Sequence, residues 1–76
     1  MRYSYLVCPA EGGCYEIESQ TELSLKEQQK IVGGYIEVVT QGEHYVICNE
    51  DGKLQDLPIN KFFPDFRGTV IITKDI

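Results

Sequence analysis

A chain of 76 residues allows one domain with a small core, because a protein of this length buries only about 60% of the surface that its unfolded form exposes. With 42% hydrophobic and 25% charged residues the composition is globular, which excludes a disordered chain. A net charge of −5 and a pI near 4.6 exclude nonspecific attraction to a phosphate backbone, so nucleic acid is not an expected partner, and the dispersed acids read as solvated surface.

The opening "RYSYLVC" and the following "CYEIES" alternate aromatic or branched residues with polar ones, which predicts two strands. Between them "PAEGG" supplies turn chemistry: Pro9 ends the first strand, and Gly12 and Gly13 permit a tight reversal. Residues 1–19 therefore read as an N-terminal hairpin. The next segment, "SLKEQQKIV", predicts a short helix. Ser24 with Glu27 three residues on forms a capping box, Glu22 and Lys26 are spaced i, i+4, and Leu25 with Val32 lies on one stripe. Gly33 falls where a helix stops in the left-handed conformation, and Gly34 lets the chain pass close to its neighbours into the strand "YIEVVT". A helix stop accounts for most of this pair, the alternative being a backbone site for an approaching ligand.

"QGE" then turns the chain and "HYVICN" returns it as a second hairpin. "NEDGK" is a further turn signal, with Gly52 suited to a left-handed position, and "LPINKFF" reads as a turn into a short helix capped by Asn60. "GTVIIT" has the β-branched density of a central strand, and "KDI" is a tail. No repeat or domain boundary interrupts residues 1–76, which read as a single domain.

The apolar run of "MRYSYLVCPA" is too short for a signal peptide, and nothing approaches the ~18 apolar residues of a membrane helix, so a cytoplasmic protein without membrane contact is expected. Cys8, Cys14 and Cys48 are odd in number and lack CxxC spacing, which indicates neither a disulfide framework nor a zinc site. Cys8 and Cys14 flank a turn and can face each other across a hairpin, but in a reducing compartment the expectation is free thiols packed as small hydrophobes.

Signals for chemistry are sparse. His44 is the single histidine, and Cys48, four residues along the same strand, is too far for a direct pair. Cys14 has no neighbouring cation to make it reactive. The glycines form neither GxGxxG nor a Walker pattern, and the paired acids Glu16 with Glu18 and Glu50 with Asp51 read as surface charge. No enzyme, cofactor or metal site is expected.

The segments "IVGGYIEVV", "ICNEDGKL", "LPINK" and "GTVII", in that order, resemble a family of small bacterial and phage-borne domains of unknown function. Its pattern is a helix, VGGYIE, a strand ending in NE-G, then LP-N and a closing strand of G and hydrophobic residues. The resemblance covers residues 24–73 and departs from the family at "KFFPDF", where Pro64 shortens the element after LP-N. It implies a fold and a mobile-element setting, not a mechanism.

The expected fold is α+β: about five mainly antiparallel strands in one sheet, with one short helix and a helical turn on one face. The expected function is a noncatalytic binding module, encoded by a phage or mobile element, that modulates a host protein. The alternative is an oligomeric protein that binds or sequesters a nucleotide-like small molecule between subunits, where Tyr35, Tyr45 or Phe62 can stack. Basic residues converging on a cleft favour the second reading, and a flat apolar patch rimmed by acids favours the first. The small core and the unpaired strand edges also predict a homo-oligomer. Tyr35 and Glu37, two apart in a strand, together with Asn60, are the candidate binding residues. The competing expectation is that Tyr35 packs under the helix, Glu37 is solvated and Asn60 caps a turn.

Overall fold

The computed structural model describes residues 2–74; Met1 and the last two residues of the "KDI" tail lie outside the described residues. The elements are β1 (Tyr3–Cys8), β2 (Tyr15–Ser19), α1 (Leu25–Val32), β3 (Ile36–Gln41), β4 (His44–Asn49) and β5 (Val70–Thr73). They build one antiparallel sheet in the order β2-β1-β5-β4-β3, with α1 against β4 and β3. The architecture is the expected α+β.

Local chemistry decides most of this. The Ser24 hydroxyl accepts from the Glu27 N–H at 3.1 Å while the Glu27 carboxylate accepts from the Ser24 N–H at 3.2 Å, closing the capping box. At the other end Gly33 adopts φ 83°, ψ 24°, and the Gln29 carbonyl accepts from both Gly33 and Gly34. Val32 is buried beneath the helix, whereas Leu25 is exposed, so the expected Leu25–Val32 stripe is buried only at its C-terminal end. A Cβ on Gly34 would stand 3.0 Å from the Asn49 amide nitrogen, which explains the second glycine. That amide donates to the Val32 carbonyl at 3.2 Å and fastens the helix end to β4.

The hairpin β1–β2 corrects one expectation. Its register pairs Val7 with Tyr15, so the next pair outward is Cys8 with Cys14; these two cysteines are joined as a disulfide instead of packing as free thiols. Strand alternation sets the thiols face to face, which spacing alone left undecided. Cys48 is free and buried.

Two apolar layers hold the sheet. Tyr5, Val7, Leu23, Val32, Ile47 and Ile71 fill the helix side, and Cys8, Val46, Cys48 and Val70 fill the other, where Phe63 and Phe66 close over them. Complete burial of a Val or Ile side chain is worth about 1.5–3 kcal/mol, so Val7, Val46, Ile47, Val70 and Ile71 dominate the stability. Phe63 and Phe66 come from the connection between β4 and β5, residues 50–69. That segment corrects two further expectations. "LPINKFF" takes irregular and bent chain with an isolated bridge between Ile59 and Arg67, not a helix, and lies on the face opposite α1. Gly52 is not left-handed; it is buried with the Arg67 carbonyl 3.2 Å from where its Cβ would be, so its role is close approach.

Candidate functional site

The β4–β5 connection is long for an irregular segment, and such connections are ordinarily mobile. Here its backbone is pinned. Asn60 is 0% exposed; its amide donates to the Cys8 and Gly68 carbonyls, both at 2.9 Å, and its side-chain oxygen accepts from the Phe62 and Phe63 N–H groups, also at 2.9 Å. The Lys61 N–H reaches the Ala10 carbonyl and the Asn60 N–H the Phe66 carbonyl. Gly68, at φ 81°, leaves room for Leu57, whose Cδ1 would lie 2.8 Å from a Cβ there. Among the described residues no buried side-chain nitrogen or oxygen lacks a hydrogen-bond partner.

On this fixed backbone the large apolar side chains point outward. Leu54 is 87% exposed, Ile59 56% and Phe62 49%, interspersed with Glu50, Asp51, Asp56 and Asp65. Ile59 and Phe62 stand on either side of the buried Asn60. Beside them a cleft of about 330 Å³ opens between the connection and the β3–β4 strands. Glu37, Glu50, Lys53, Asp65, Phe66 and Arg67 border it, with Cys48 at its base. The Arg67 guanidinium also donates to the Leu57 carbonyl at 3.3 Å and pairs with Asp56 at 3.4 Å. Burial, and secondarily the Glu37 charge, raise the Cys48 thiol from its ordinary value of 9.0 to about 11, so it stays protonated at neutral pH. Its thiol donates to the Glu37 carbonyl at 3.6 Å. This is a packed thiol, not a nucleophile.

The structure does not bring the three candidate residues together. Tyr35 precedes β3, is 69% exposed, and borders a shallow hollow with Gln29, Gly34, Asp51 and Gln55. Glu37 borders the cleft instead. Asn60 belongs beneath the surface, where it positions Ile59 and Phe62. Phe62, expected from the sequence as a stacking group, is joined at the surface by Ile59 and Leu54, which the sequence had not singled out; apolar residues between turn-formers in a long connection are the signal for them. Lys53 and Arg67 were missed as cleft residues, because only the fold brings residues 37 and 67 to one opening. Among the described residues no three His, Cys, Asp or Glu side chains are grouped to hold a metal ion, and no helix is long and apolar enough to cross a membrane.

Neither curated proteins nor solved structures give a match to the chain. A family model described as "Domain of unknown function (DUF3846)" matches residues 1–76, and the chain belongs to that family.

Proposed function

We propose that this DUF3846 domain is a noncatalytic binding module that docks on a protein through its β4–β5 connection. The observation that carries this reading is the contrast within one segment: a backbone fixed by a saturated, fully buried Asn60, presenting Leu54, Ile59 and Phe62 to solvent. Ordering a long irregular segment costs conformational entropy, and exposed apolar groups recover none of it until a partner covers them. Prior ordering lowers the cost of association, and an aromatic or aliphatic anchor at the centre of an interface supplies much of its energy. The surrounding acids and the overall charge of −5 suit a partner with a basic surface. In this reading the module acts in the cytoplasm, is encoded by a phage or mobile element, and modulates a host protein; the setting rests on the resemblance of its ordered motifs.

Affinity capture from a bacterial lysate tests it, comparing the unaltered protein with Leu54→Asp and Phe62→Asp. A protein retained by the former and lost with both variants, whose melting temperatures stay within a few degrees, is the expected result. Retention undiminished by both variants overturns the assignment.

One observation favours a second reading, a small-molecule site: Lys53 and Arg67 meet at a cleft that also holds Phe66. Binding of a nucleotide-like anion there predicts a rise in melting temperature with mononucleotides that Arg67→Ala abolishes.

A further inference from the structure

The two edges of the sheet are unequal. β2 carries Glu16 and Glu18, the latter paired with Arg2 at 3.1 Å, and begins directly after the disulfide. β3 has no proline, no lysine and no bulge: its six residues pair with β4 without interruption from Ile36–Asn49 to Gln41–His44. Among the devices by which natural sheets blunt an edge, β3 has one charge, Glu37.

The direction of its free backbone groups follows from one hydrogen bond. The Glu50 N–H donates to the Tyr35 carbonyl at 2.8 Å, so Tyr35 and Glu50 form a hydrogen-bonded pair in line with the register. By antiparallel alternation Glu37, Val39 and Gln41 also turn their backbone groups toward β4. Ile36, Val38 and Thr40 therefore turn theirs outward. On the helix side of this edge, Leu25 and Val38 stay exposed above a hollow bordered by Leu23, Gln28 and Ile36.

We propose that β3 pairs with β3 of a second copy of this chain, antiparallel about a two-fold axis at Val38, joining the two sheets edge to edge. This register matches Val38 with the partner copy's Val38 and Ile36 with its Thr40, so the three outward-facing residues of each strand are all paired, with about six inter-chain hydrogen bonds. Glu37 then lies opposite Val39 and Tyr35 opposite Gln41. Sliding one strand by two residues toward the N-terminus sets Glu37 against Glu37, a like-charge pair that disfavours that register. Sliding it the other way leaves Ile36 against the turn residue Gly42. The two-fold axis is perpendicular to the sheet, so both helices stay on one side and the Leu25 and Val38 side chains of the two copies flank the seam. A two-fold axis is the commonest symmetry of homo-oligomers, and this pairing uses a surface apart from Leu54 and Phe62.

Sedimentation and light scattering at tens of micromolar test the pairing. The expected mass is twice 8.7 kDa for the unaltered protein and 8.7 kDa for Val38→Pro, which removes an outward N–H without touching the β3–β4 ladder. Val38→Lys, which places two like charges at the axis, gives the monomer mass even if the proline variant fails to fold. Val38→Cys provides a readout of register: two thiols at the axis of a hydrogen-bonded pair have Cα atoms about 5.5 Å apart, within disulfide reach. That variant is expected to cross-link under mild oxidant while Thr40→Cys does not. A monomer mass for the unaltered protein, as when the edge instead receives a segment of another protein, overturns the proposal. A dimer that persists in Val38→Lys overturns it as well.

Discussion

The Asn60 amide donates to the Cys8 carbonyl at 2.9 Å, joining the β4–β5 connection to the end of β1 across 52 positions of sequence. Cys8 is in turn linked to Cys14, so one side chain couples the connection, the first strand and the disulfide loop. Asn60→Ala removes four hydrogen bonds, stranding two carbonyls in buried contacts and two N–H groups in partly buried ones. Stranded buried groups cost about 1–3 kcal/mol each where water cannot reach them, and partial relaxation sets the expected loss at about 3 kcal/mol. Urea denaturation measures it. A loss under about 1 kcal/mol would show that the connection holds its shape without this residue, and the pre-ordered docking surface would go with it.

Gly33 and Gly34 are expected to resist substitution for different reasons. Nothing lies within 4 Å of a Cβ built on Gly33, so the cost of Gly33→Val is backbone strain at φ 83°, about 1 kcal/mol or more. Gly33→Asn, which tolerates that conformation, is expected to lose less. At Gly34 the cost is steric: Gly34→Ala displaces the Asn49 amide from the Val32 carbonyl. Melting temperatures of the three variants separate the cases, and equal losses for Gly33→Val and Gly33→Asn would refute the strain account.

The Cys48 thiol predicts a stability change in alkali. Its folded value of about 11 stands above the ordinary 9.0, so the neutral thiol is favoured by folding. The contribution is present in full below about pH 9 and is lost progressively as pH rises toward 11, because the unfolded thiol ionises first. Between pH 8 and 10.5 the unaltered protein is expected to lose urea resistance more steeply than Cys48→Ala, the comparison cancelling whatever the two proteins share. Glu37→Gln, which removes the smaller cause, is expected to flatten the decline in part. Parallel pH profiles for the unaltered protein and Cys48→Ala would contradict the shift.

These tests also mark where the sequence was legible. The capping box at Ser24 and the stop at Gly33 are settled within a few residues of chain and appear in the structure as read, and the strand expected from Tyr15 to Glu18 forms as β2, although Tyr15 itself is exposed. The β4–β5 connection is different. Asn60 does accept from the N–H groups two and three residues on, as a helix cap does, but its remaining partners lie at Cys8 and Gly68, and the chain turns away before a helix forms. Gly52 signals a turn by its type, yet what fixes it is the Arg67 backbone. The Cys8–Cys14 link needed the hairpin register. Of the three candidate site residues, Asn60 is shared between distant segments and Tyr35 sits just before the strand, so no local pattern foretold that their surfaces diverge.

Glu37 is the candidate residue that most cleanly separates binding from folding. Its side chain is exposed at the mouth of the cleft beside Lys53 and Arg67, and no hydrogen bond or ion pair of its carboxylate contributes to the fold among the described contacts. Glu37→Ala is therefore expected to leave stability within about 0.5 kcal/mol. It also removes the smaller of the two influences raising the Cys48 thiol, which has no consequence near neutral pH. The consequence for ligands depends on sign. With Glu37 gone, Glu50 and Asp65 still border the cleft but no longer outweigh Lys53 and Arg67, so an anionic ligand should bind more tightly and a cationic one more weakly. Isothermal titration with a mononucleotide and, separately, with a captured basic protein reads both directions. Unchanged affinity for each, in a variant that melts normally, would remove Glu37 from any binding surface and leave the apolar groups of the β4–β5 connection to carry the docking alone.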